Sequence, residues 1–159
     1  MTAVREYQDK PVPDETLRRI VEAAHLTASA GNRQPWHFIL VKDRERLRKL
    51  GSLMRTGPYI ANAAAAVIVA YERDNRAAIT DASRAIQSMM LAAWGEGVGS
   101  NWTGLMGIDA VREEFGVPES FDVIAVMPLG YPKRKVIGKK KRKSFNEVVS
   151  AERFGQPLT

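Results

Sequence analysis

The segment of residues 81–96 constrains the fold more than any other, because it carries a broad apolar stripe at helical spacing. The residues of this stripe are Ala82, Ala85, Ile86, Met89, Met90, Ala93 and Trp94. A helix with so wide an apolar face must bury it, so the segment predicts a long core helix with Thr80 or Asp81 as its N-cap. The stripe also suits a contact between two copies of the chain, an alternative that the sequence leaves open.

Shorter patterns on both sides of this segment predict further helices and strands. The other predicted helices lie at residues 15–27, 43–54 and 108–115. The predicted strands lie at residues 37–41, 63–71 and 121–129. Asp14 is placed to cap the first helix, and the preceding residues are predicted to be extended. Because these elements interleave without a regular βαβ repeat, they predict an α+β fold in which helices cover a sheet.

A glycine-rich stretch, from Gly95 to Gly104, follows the long helix. A dinucleotide-binding fingerprint follows a strand and opens a helix, whereas these glycines come after a helix. The stretch therefore predicts the end of the helix and a tight connection, not a dinucleotide-binding loop.

The composition predicts one ordinary domain and excludes several kinds of site. The 159 residues include no cysteine, which rules out disulfides, thiolate metal ligands and a cysteine nucleophile. The two histidines, His25 and His37, form no metal-binding pattern, and we expect His25 to be a surface or capping residue. The first ten residues lack an apolar signal core, and the apolar run at 63–71 is far shorter than the ~20 residues of a membrane helix. We therefore expect a cytoplasmic protein that contacts no membrane and binds no metal.

The net charge of +6 comes from one segment. Residues 133–143 contain eight of the 24 basic residues and no acid, so the rest of the chain has 16 basic against 18 acidic residues. We expect no nucleic-acid contact, because beyond Tyr131 no aromatic residue is interleaved and no nucleic-acid motif is present. The later apolar residues Phe145, Val148 and Val149 indicate that this tail docks on another surface.

The loop between the first predicted helix and the first predicted strand is rich in hydrogen-bonding residues. Ser29, Asn32 and Gln34 offer donors and acceptors at nearby positions, and Gly31 permits positive φ or close backbone approach. Such a set suits a flat polar heterocycle, although the same side chains could instead satisfy the turns of the loop itself.

The loop residues from Ser29 to Phe38 resemble the Pro-Ser-x-x-Asn-x-Gln-Pro-Trp signature of the FMN-dependent nitroreductase family, with Ala28 in place of the usual proline. The resemblance runs almost end to end, from Val4-Arg5-Glu6-Tyr7 to residues 152–157. It implies one nitroreductase-like domain over residues 1–159, with a mostly antiparallel central sheet covered by helices. It also implies an intertwined homodimer with FMN at the subunit interface, on which the tail of residues 133–159 docks. The chain is similar to a compact member that lacks the helical excursion over the flavin.

The resemblance implies an FMN-dependent NAD(P)H oxidoreductase. In such enzymes the flavin carries the redox chemistry, so no catalytic side chain is predicted. NADH or NADPH would deliver hydride to bound FMN in a ping-pong reaction. The electrons would then pass to an oxidised small molecule such as a nitroaromatic or a quinone.

The same resemblance assigns the cofactor-binding residues. Arg5 matches the last basic residue of the family's Arg-x-Ser-x-Arg/Lys pattern, and Lys140 and Arg142 match its late Lys-x-Arg pair, so these three are the expected phosphate ligands. Met1 and Ala3 replace the first arginine and the serine of that pattern.

At the flavin ring the resemblance assigns residues from two regions of the chain. Ser29 and Asn32 are expected to come from the neighbouring subunit, while Gln34 and Trp36 hold their loop in shape. Trp102, Thr103 and Gly104 fall where relatives place backbone donors toward the ring. Trp102 could equally be a packing residue.

Two other classes of function compete with this interpretation. The replacements at Met1 and Ala3 favour a protein that binds flavin or a related ligand on the same scaffold without turnover. The basic tail alone would suit a nucleic-acid or partner-binding module.

Overall fold

A computed structural model of the chain describes residues 2–104, 106–134 and 140–158. Met1, which stands in place of the family's first arginine, and residues 135–139 of the basic tail lie outside this described part. The helices are α1 (Asp14–His25), α2 (Arg44–Leu53), α3 (Ala78–Gly95), α4 (Ile108–Glu114) and α5 (Phe145–Val148), with short 3-10 helices at Ala30–Asn32 and Pro58–Asn62. The strands are β1 (Trp36–Val41), β2 (Ala65–Glu72), β3 (Gly99–Ser100) and β4 (Phe121–Gly130).

The four strands form one sheet in the order β1-β2-β4-β3, and every pair of neighbours is antiparallel. Ile68 at the centre of β2 lies between Ile39 on β1 and Val126 on β4. The predicted mostly antiparallel sheet is thereby confirmed.

Side chains of β2 alternate between two cores, one on each face of the sheet. Every second residue from Ala65 to Val69 packs with α1 and α3, and the alternate residues from Ala66 to Ala70 pack with α2 and α4. All are at most 1% exposed. A strand buried on both faces has no polar face, which explains its unbroken apolar sequence.

The helix α3 is the predicted core helix. Its 18 residues bury Ala82, Ala85, Ile86, Met89 and Ala93, as the apolar stripe predicts. The other two residues of the stripe are not buried, because Met90 is only partly covered and Trp94 is 39% exposed. The prediction of Thr80 or Asp81 as its N-cap was wrong. The helix begins at Ala78, after a turn in which Asn75 Oδ1 accepts the N–H of Ala77. None of the helices in the described ranges is both long and apolar enough to cross a lipid bilayer.

Other element ends also differ from the sequence prediction. Asp14 is the first residue of α1 and makes an ion pair of 2.7 Å with Lys42, so it is not the predicted cap, and the helix ends at His25 instead of residue 27. The central strand begins at Ala65, because Ala63 still closes the 3-10 helix before it. The short strand β3 within the glycine-rich connection was not predicted. The predicted helix at 43–54 is α2, with Asp43 as its N-cap instead of its first residue, and His25 is exposed at the end of α1, as expected.

The N-terminal segment lies across the corner formed by β3 and the end of β4. Val4 donates its N–H to Ser100 O at 2.9 Å, and Tyr7 forms a bridge with Pro132. The N-terminal segment approaches the two strands so closely that glycine is required at the contact points. A Cβ at Gly99 would lie 2.7 Å from the Val4 side chain, and one at Gly130 would lie 2.8 Å from the Tyr7 ring. Because Val4 and Tyr7 are both buried, Arg5 between them is fixed at the surface of this corner.

Candidate functional site

The loop at residues 29–34 has an unusual backbone. Gly31 has φ 58°, in the left-handed region, which is one of the two roles expected of it, and Asn32 and Gln34 also have positive φ values of 53° and 52°. A non-glycine residue in this region costs about 1–3 kcal/mol and persists where the surroundings fix it. The loop is therefore held in one shape by the contacts around it, both within the loop and from outside it.

Part of that restraint comes from within the loop. Ser29 Oγ accepts the backbone N–H of Gln34 at 2.9 Å, and Gln34 Nε2 donates to Asn32 O at 3.2 Å. Gln34 thus holds the loop, as expected. Ser29 uses its hydroxyl as an acceptor here, and its own O–H proton has no acceptor among the described residues.

Asp81 on α3 supplies the restraint from outside the loop. Asp81 is 3% exposed, and its Oδ2 accepts the N–H of Ala30 at 2.9 Å. Oδ1 lies 3.5 Å from the guanidinium of Arg84 one turn later in the helix. Because Asp81 also lies in the first turn of α3, the helix N-terminus stabilises its charge. The turn at residues 30–32 is thereby fastened to the core helix.

A second group of polar residues surrounds Tyr59, which lies in the 3-10 helix Pro58–Asn62. The guanidinium of Arg5 lies 5.9 Å from the centroid of the Tyr59 ring. The Tyr59 hydroxyl accepts a hydrogen bond from Asn101 Nδ2 and is 2.9 Å from Thr103 Oγ1. Asn101 and Thr103 are both buried. Tyr59 therefore joins Arg5 to the segment at residues 101–104.

That segment continues the pairing of β3 along the edge of the sheet. Ser100 pairs with Leu129, and Thr103 forms a bridge with Val126 in the same register. The N–H of Thr103 donates to Val126 O at 3.1 Å and is therefore already used. Since strand residues alternate in direction, the N–H groups of Trp102 and Gly104 point away from β4, and neither pairs with a described residue. These two groups, not that of Thr103, are the backbone donors that the segment offers.

A cavity of about 480 Å³ opens beside Arg5. Its cations are Arg5, Arg44 and Lys133, and its acids are Glu6 and Asp9. Arg44 is already engaged, because it donates to the carbonyls of Ala61 and Ala63. Arg5 makes no ion pair within the described part of the chain, so its charge is available to an anion.

The late cations of the predicted phosphate site lie in the exposed C-terminal segment. Lys140 and Arg142 are exposed and form no hydrogen bond or ion pair with any residue that the structure describes. The helix α5 follows them and begins with a capping box. The hydroxyl and N–H of Ser144 both donate to Glu147, and these bonds lower the pKa of that carboxyl.

The two groups of predicted ring-binding residues lie far apart within one chain. The loop at residues 29–34 is fastened to the first turn of α3. Residues 101–104 come after the other end of that helix, where the N–H of Val98 donates to Ala93 O at 2.8 Å. A helix of 18 residues is ~27 Å long. The groups also lie at opposite edges of the sheet, because β1 forms one edge and Thr103 pairs with β4 at the other.

Three residues that organise these groups were not predicted as part of the site. Asp81 was interpreted as a helix cap, and neither Tyr59 nor Asn101 was singled out. The only sequence signal for Tyr59 is its place after the Gly57-Pro58 break, which is a common pattern in loops.

Comparison with known proteins places this geometry in a family. The sequence profile described as Nitroreductase family matches residues 2–72 and 52–131. A protein of Archaeoglobus fulgidus that carries the name NADH dehydrogenase/NAD(P)H nitroreductase is 40% identical over 142 residues, which cover 82% of this chain and 80% of that protein. A protein of the same name from Methanothermobacter thermautotrophicus is 36% identical over 138 residues, covering 82% and 72% respectively.

The fold agrees with the sequence comparison. The solved structure of an FMN-dependent nitroreductase from Clostridium difficile superposes with a TM-score of 0.89 and 27% identity, over 96% of this chain and 95% of that one. The resemblance seen in residues 29–38 is confirmed. Since profile, relatives and architecture all extend over most of the chain, this protein belongs to the Nitroreductase family.

Proposed function

We propose that the protein is an FMN-dependent NAD(P)H oxidoreductase that works as a homodimer and reduces a small oxidised acceptor, such as a nitroaromatic or a quinone. The family, and relatives named NAD(P)H nitroreductase and FMN-dependent nitroreductase, support the cofactor and the class of reaction. The chemistry that bound FMN supplies is acceptance of hydride from NADH or NADPH and delivery of electrons to the acceptor, in ping-pong order.

The observation that carries the proposal is the separation of the two groups of ring-binding residues. In one chain, residues 29–34 and residues 101–104 lie at opposite ends of α3 and at opposite edges of the sheet. One planar ring can meet both groups only if they come from different subunits. We therefore assign residues 101–104 and Arg5 to one subunit of each site, and Ser29 and Asn32 to the other.

The exposed apolar surface supports a dimer. Phe145 and Val148 in α5 are 62% and 63% exposed in the single chain, and Phe154 is fully exposed. On α3, Leu91 and Trp94 are also exposed, although Trp94 belongs to the apolar stripe. Large apolar side chains exposed together are typical of protein interfaces. The tail that contains α5 docks on the second subunit in this proposal.

The free hydrogen-bonding groups fit FMN. The ring needs donors and acceptors at its rim, and Ser29 retains a hydroxyl proton while Trp102 and Gly104 retain N–H groups. The phosphate needs cations, which Arg5, Lys140 and Arg142 provide. The buried hydroxyl of Thr2, close to Arg5 in sequence, also lacks a partner among the described residues. A positive potential beside the ring would favour its anionic reduced form.

Purification with FMN tests the proposal. We expect a yellow dimer by light scattering, whose flavin absorbance is bleached by NADH or NADPH under nitrogen and restored by a quinone. A yellow protein that neither nucleotide bleaches would indicate a flavin-binding protein without turnover. A colourless protein that binds polynucleotide in a salt-sensitive manner would instead support the nucleic-acid function.

A further inference from the structure

The group around Tyr59 connects two parts of the proposed site that are distant in the sequence. Arg5 lies in the N-terminal segment, and Asn101 and Thr103 lie 42 and 44 residues after Tyr59. Tyr59 contacts the first through its ring face and the other two through its hydroxyl. A single side chain therefore touches both the phosphate side and the ring-edge side of the proposed site.

The surroundings of Tyr59 keep it in this position. Its 3-10 helix packs against α2, and Gly51 on α2 admits it so closely that a Cβ there would lie 2.9 Å from Ala61 N. Gly57 likewise leaves room for Thr103, since a Cβ at Gly57 would lie 2.6 Å from Thr103 Cγ2. Tyr7 lies close enough that Tyr59 contributes, after burial, to raising its pKa.

The hydrogen bonds at Tyr59 leave one proton unused. Asn101 donates to the Tyr59 oxygen, and one hydroxyl proton bridges Tyr59 and Thr103. The two hydroxyls carry one proton each, so one O–H of the pair has no acceptor among the described residues. This O–H lies beside the segment whose Trp102 and Gly104 N–H groups are also free.

We propose that Tyr59 is a positioning residue that holds Arg5 and the segment at residues 101–104 as one preformed unit for flavin binding. Its ring orients the Arg5 guanidinium through a cation–π contact. Its hydroxyl fixes the side chains of Asn101 and Thr103, and thereby the direction of the neighbouring backbone donors. The inference rests on the proposed function, because it assigns Tyr59 a role in the same site.

Two substitutions separate the two contacts. Tyr59→Phe keeps the ring over Arg5 and removes the hydroxyl, whereas Tyr59→Leu removes both. Binding of FMN and of riboflavin, measured by quenching of flavin fluorescence, separates the phosphate side from the ring side, because riboflavin has no phosphate. Tyr131→Leu is the matched control, since Tyr131 also lies under a cation, with Lys10 Nζ 4.6 Å from its ring centroid.

We expect Tyr59→Phe to weaken FMN and riboflavin binding equally, by about five- to tenfold, and to shift the visible spectrum and midpoint potential of the bound flavin. Tyr59→Leu should in addition lower the preference for FMN over riboflavin by about threefold or more, because Arg5 loses its support. Tyr131→Leu should change neither the flavin affinities nor the preference for FMN over riboflavin. Circular dichroism checks whether each variant is folded. If Tyr59→Leu does not fold, Tyr59→Phe alone tests the role of Tyr59.

If the wild-type protein binds flavin and both Tyr59 variants match it in affinity, spectrum and midpoint potential, this inference is overturned. The proposed function would remain intact. Equal effects of Tyr131→Leu would overturn it as well. Failure of the wild-type protein to bind FMN or riboflavin would overturn the proposed function, and this inference with it.

Discussion

Asp81 Oδ2 accepts the backbone N–H of Ala30 at 2.9 Å, across 51 residues of sequence. The bond fastens a loop with positive φ at Gly31, Asn32 and Gln34 to the first turn of the core helix. A buried carboxylate is stable only when charged or polar partners satisfy it, and Asp81 has the Ala30 N–H, Arg84 and the helix N-terminus. The loop that carries the family signature is therefore shaped by a residue outside the signature.

Replacing Asp81 tests this relationship. Asp81→Ala leaves the Ala30 N–H without its acceptor, so we expect a loss of about 1–3 kcal/mol in the free energy of unfolding, measured with urea. Asp81→Asn retains an acceptor oxygen and should lose less. Both variants should bind FMN more weakly than wild type, in the same order. An Asp81→Ala protein with wild-type stability and FMN affinity would show that the loop holds its shape without Asp81.

Ser29→Ala should affect flavin more than stability. The substitution removes one hydrogen bond, from the Gln34 N–H, which corresponds to about 0.5–1.5 kcal/mol. It also removes the hydroxyl proton that we assign to the ring, so the spectrum and reduction rate of bound flavin should change. Ser83→Ala is the control, because Ser83 Oγ donates only to Ile79 O in its own helix, at 2.7 Å. A large loss of stability with an unchanged flavin would make Ser29 a structural residue.

Gly104→Ala should displace the edge segment. A Cβ at this position would lie 2.6 Å from Ile124 O, a backbone atom of β4 that cannot move aside locally. We expect a loss of about 1–3 kcal/mol in stability and weaker binding of both FMN and riboflavin. Gly95→Ala, at the end of α3 where a Cβ meets no atom within 4 Å, should be neutral or stabilising. Unchanged flavin binding by Gly104→Ala would remove this segment from the site.

Arg142→Ala and Lys140→Ala should each weaken FMN binding by about 1.5–3 kcal/mol if the charged contacts are desolvated in the dimer. Riboflavin binding should change little, because it lacks the phosphate. Arg153→Ala, an exposed cation elsewhere in the tail, is the control for net charge. Equal loss of FMN and riboflavin affinity would indicate that these residues act on the fold of the tail instead of on the phosphate.

The ion pair between Arg73 and Asp122 predicts part of the acid sensitivity. Arg73 donates to both carboxylate oxygens at 3.0 and 2.7 Å, and these hydrogen bonds hold the pKa of Asp122 below its ordinary value. Because the folded pKa is the lower one, the contribution is present above the unfolded pKa of ~3.9 and is lost as pH falls through the folded pKa. For a partly exposed pair it amounts to about 0.2–1 kcal/mol.

Thermal unfolding at several pH values checks the direction in which the stability contributed by this ion pair changes with pH. Asp122→Asn should be less stable than wild type near neutral pH, and the difference should shrink as the pH falls below ~3. Glu113→Gln removes an exposed acid that forms no ion pair in the described ranges, and it should show no such convergence. A stability difference for Asp122→Asn that stays constant from neutral to acidic pH would contradict the assignment.

The sequence by itself determined the α+β class, the central strand and the core helix. An apolar run buried on both faces, as at residues 65–70, and an apolar stripe at helical spacing, as in Ala78–Gly95, record in local sequence which surfaces must leave water. The signature from Ser29 to Phe38 likewise identified the family, because its small and polar residues stand in a fixed order.

The tertiary structure alone decided where α3 begins and how the site residues are held. A turn at Asn75 started α3 at Ala78 and so freed Asp81 to hold the loop, and no local pattern distinguishes that carboxylate from a cap. That remote contact fastens the loop in which Asn32 and Gln34 have positive φ, and the group around Tyr59 joins segments more than 40 residues apart. Periodicity records what a residue buries, but a hydrogen bond between distant segments exists only after the chain has packed.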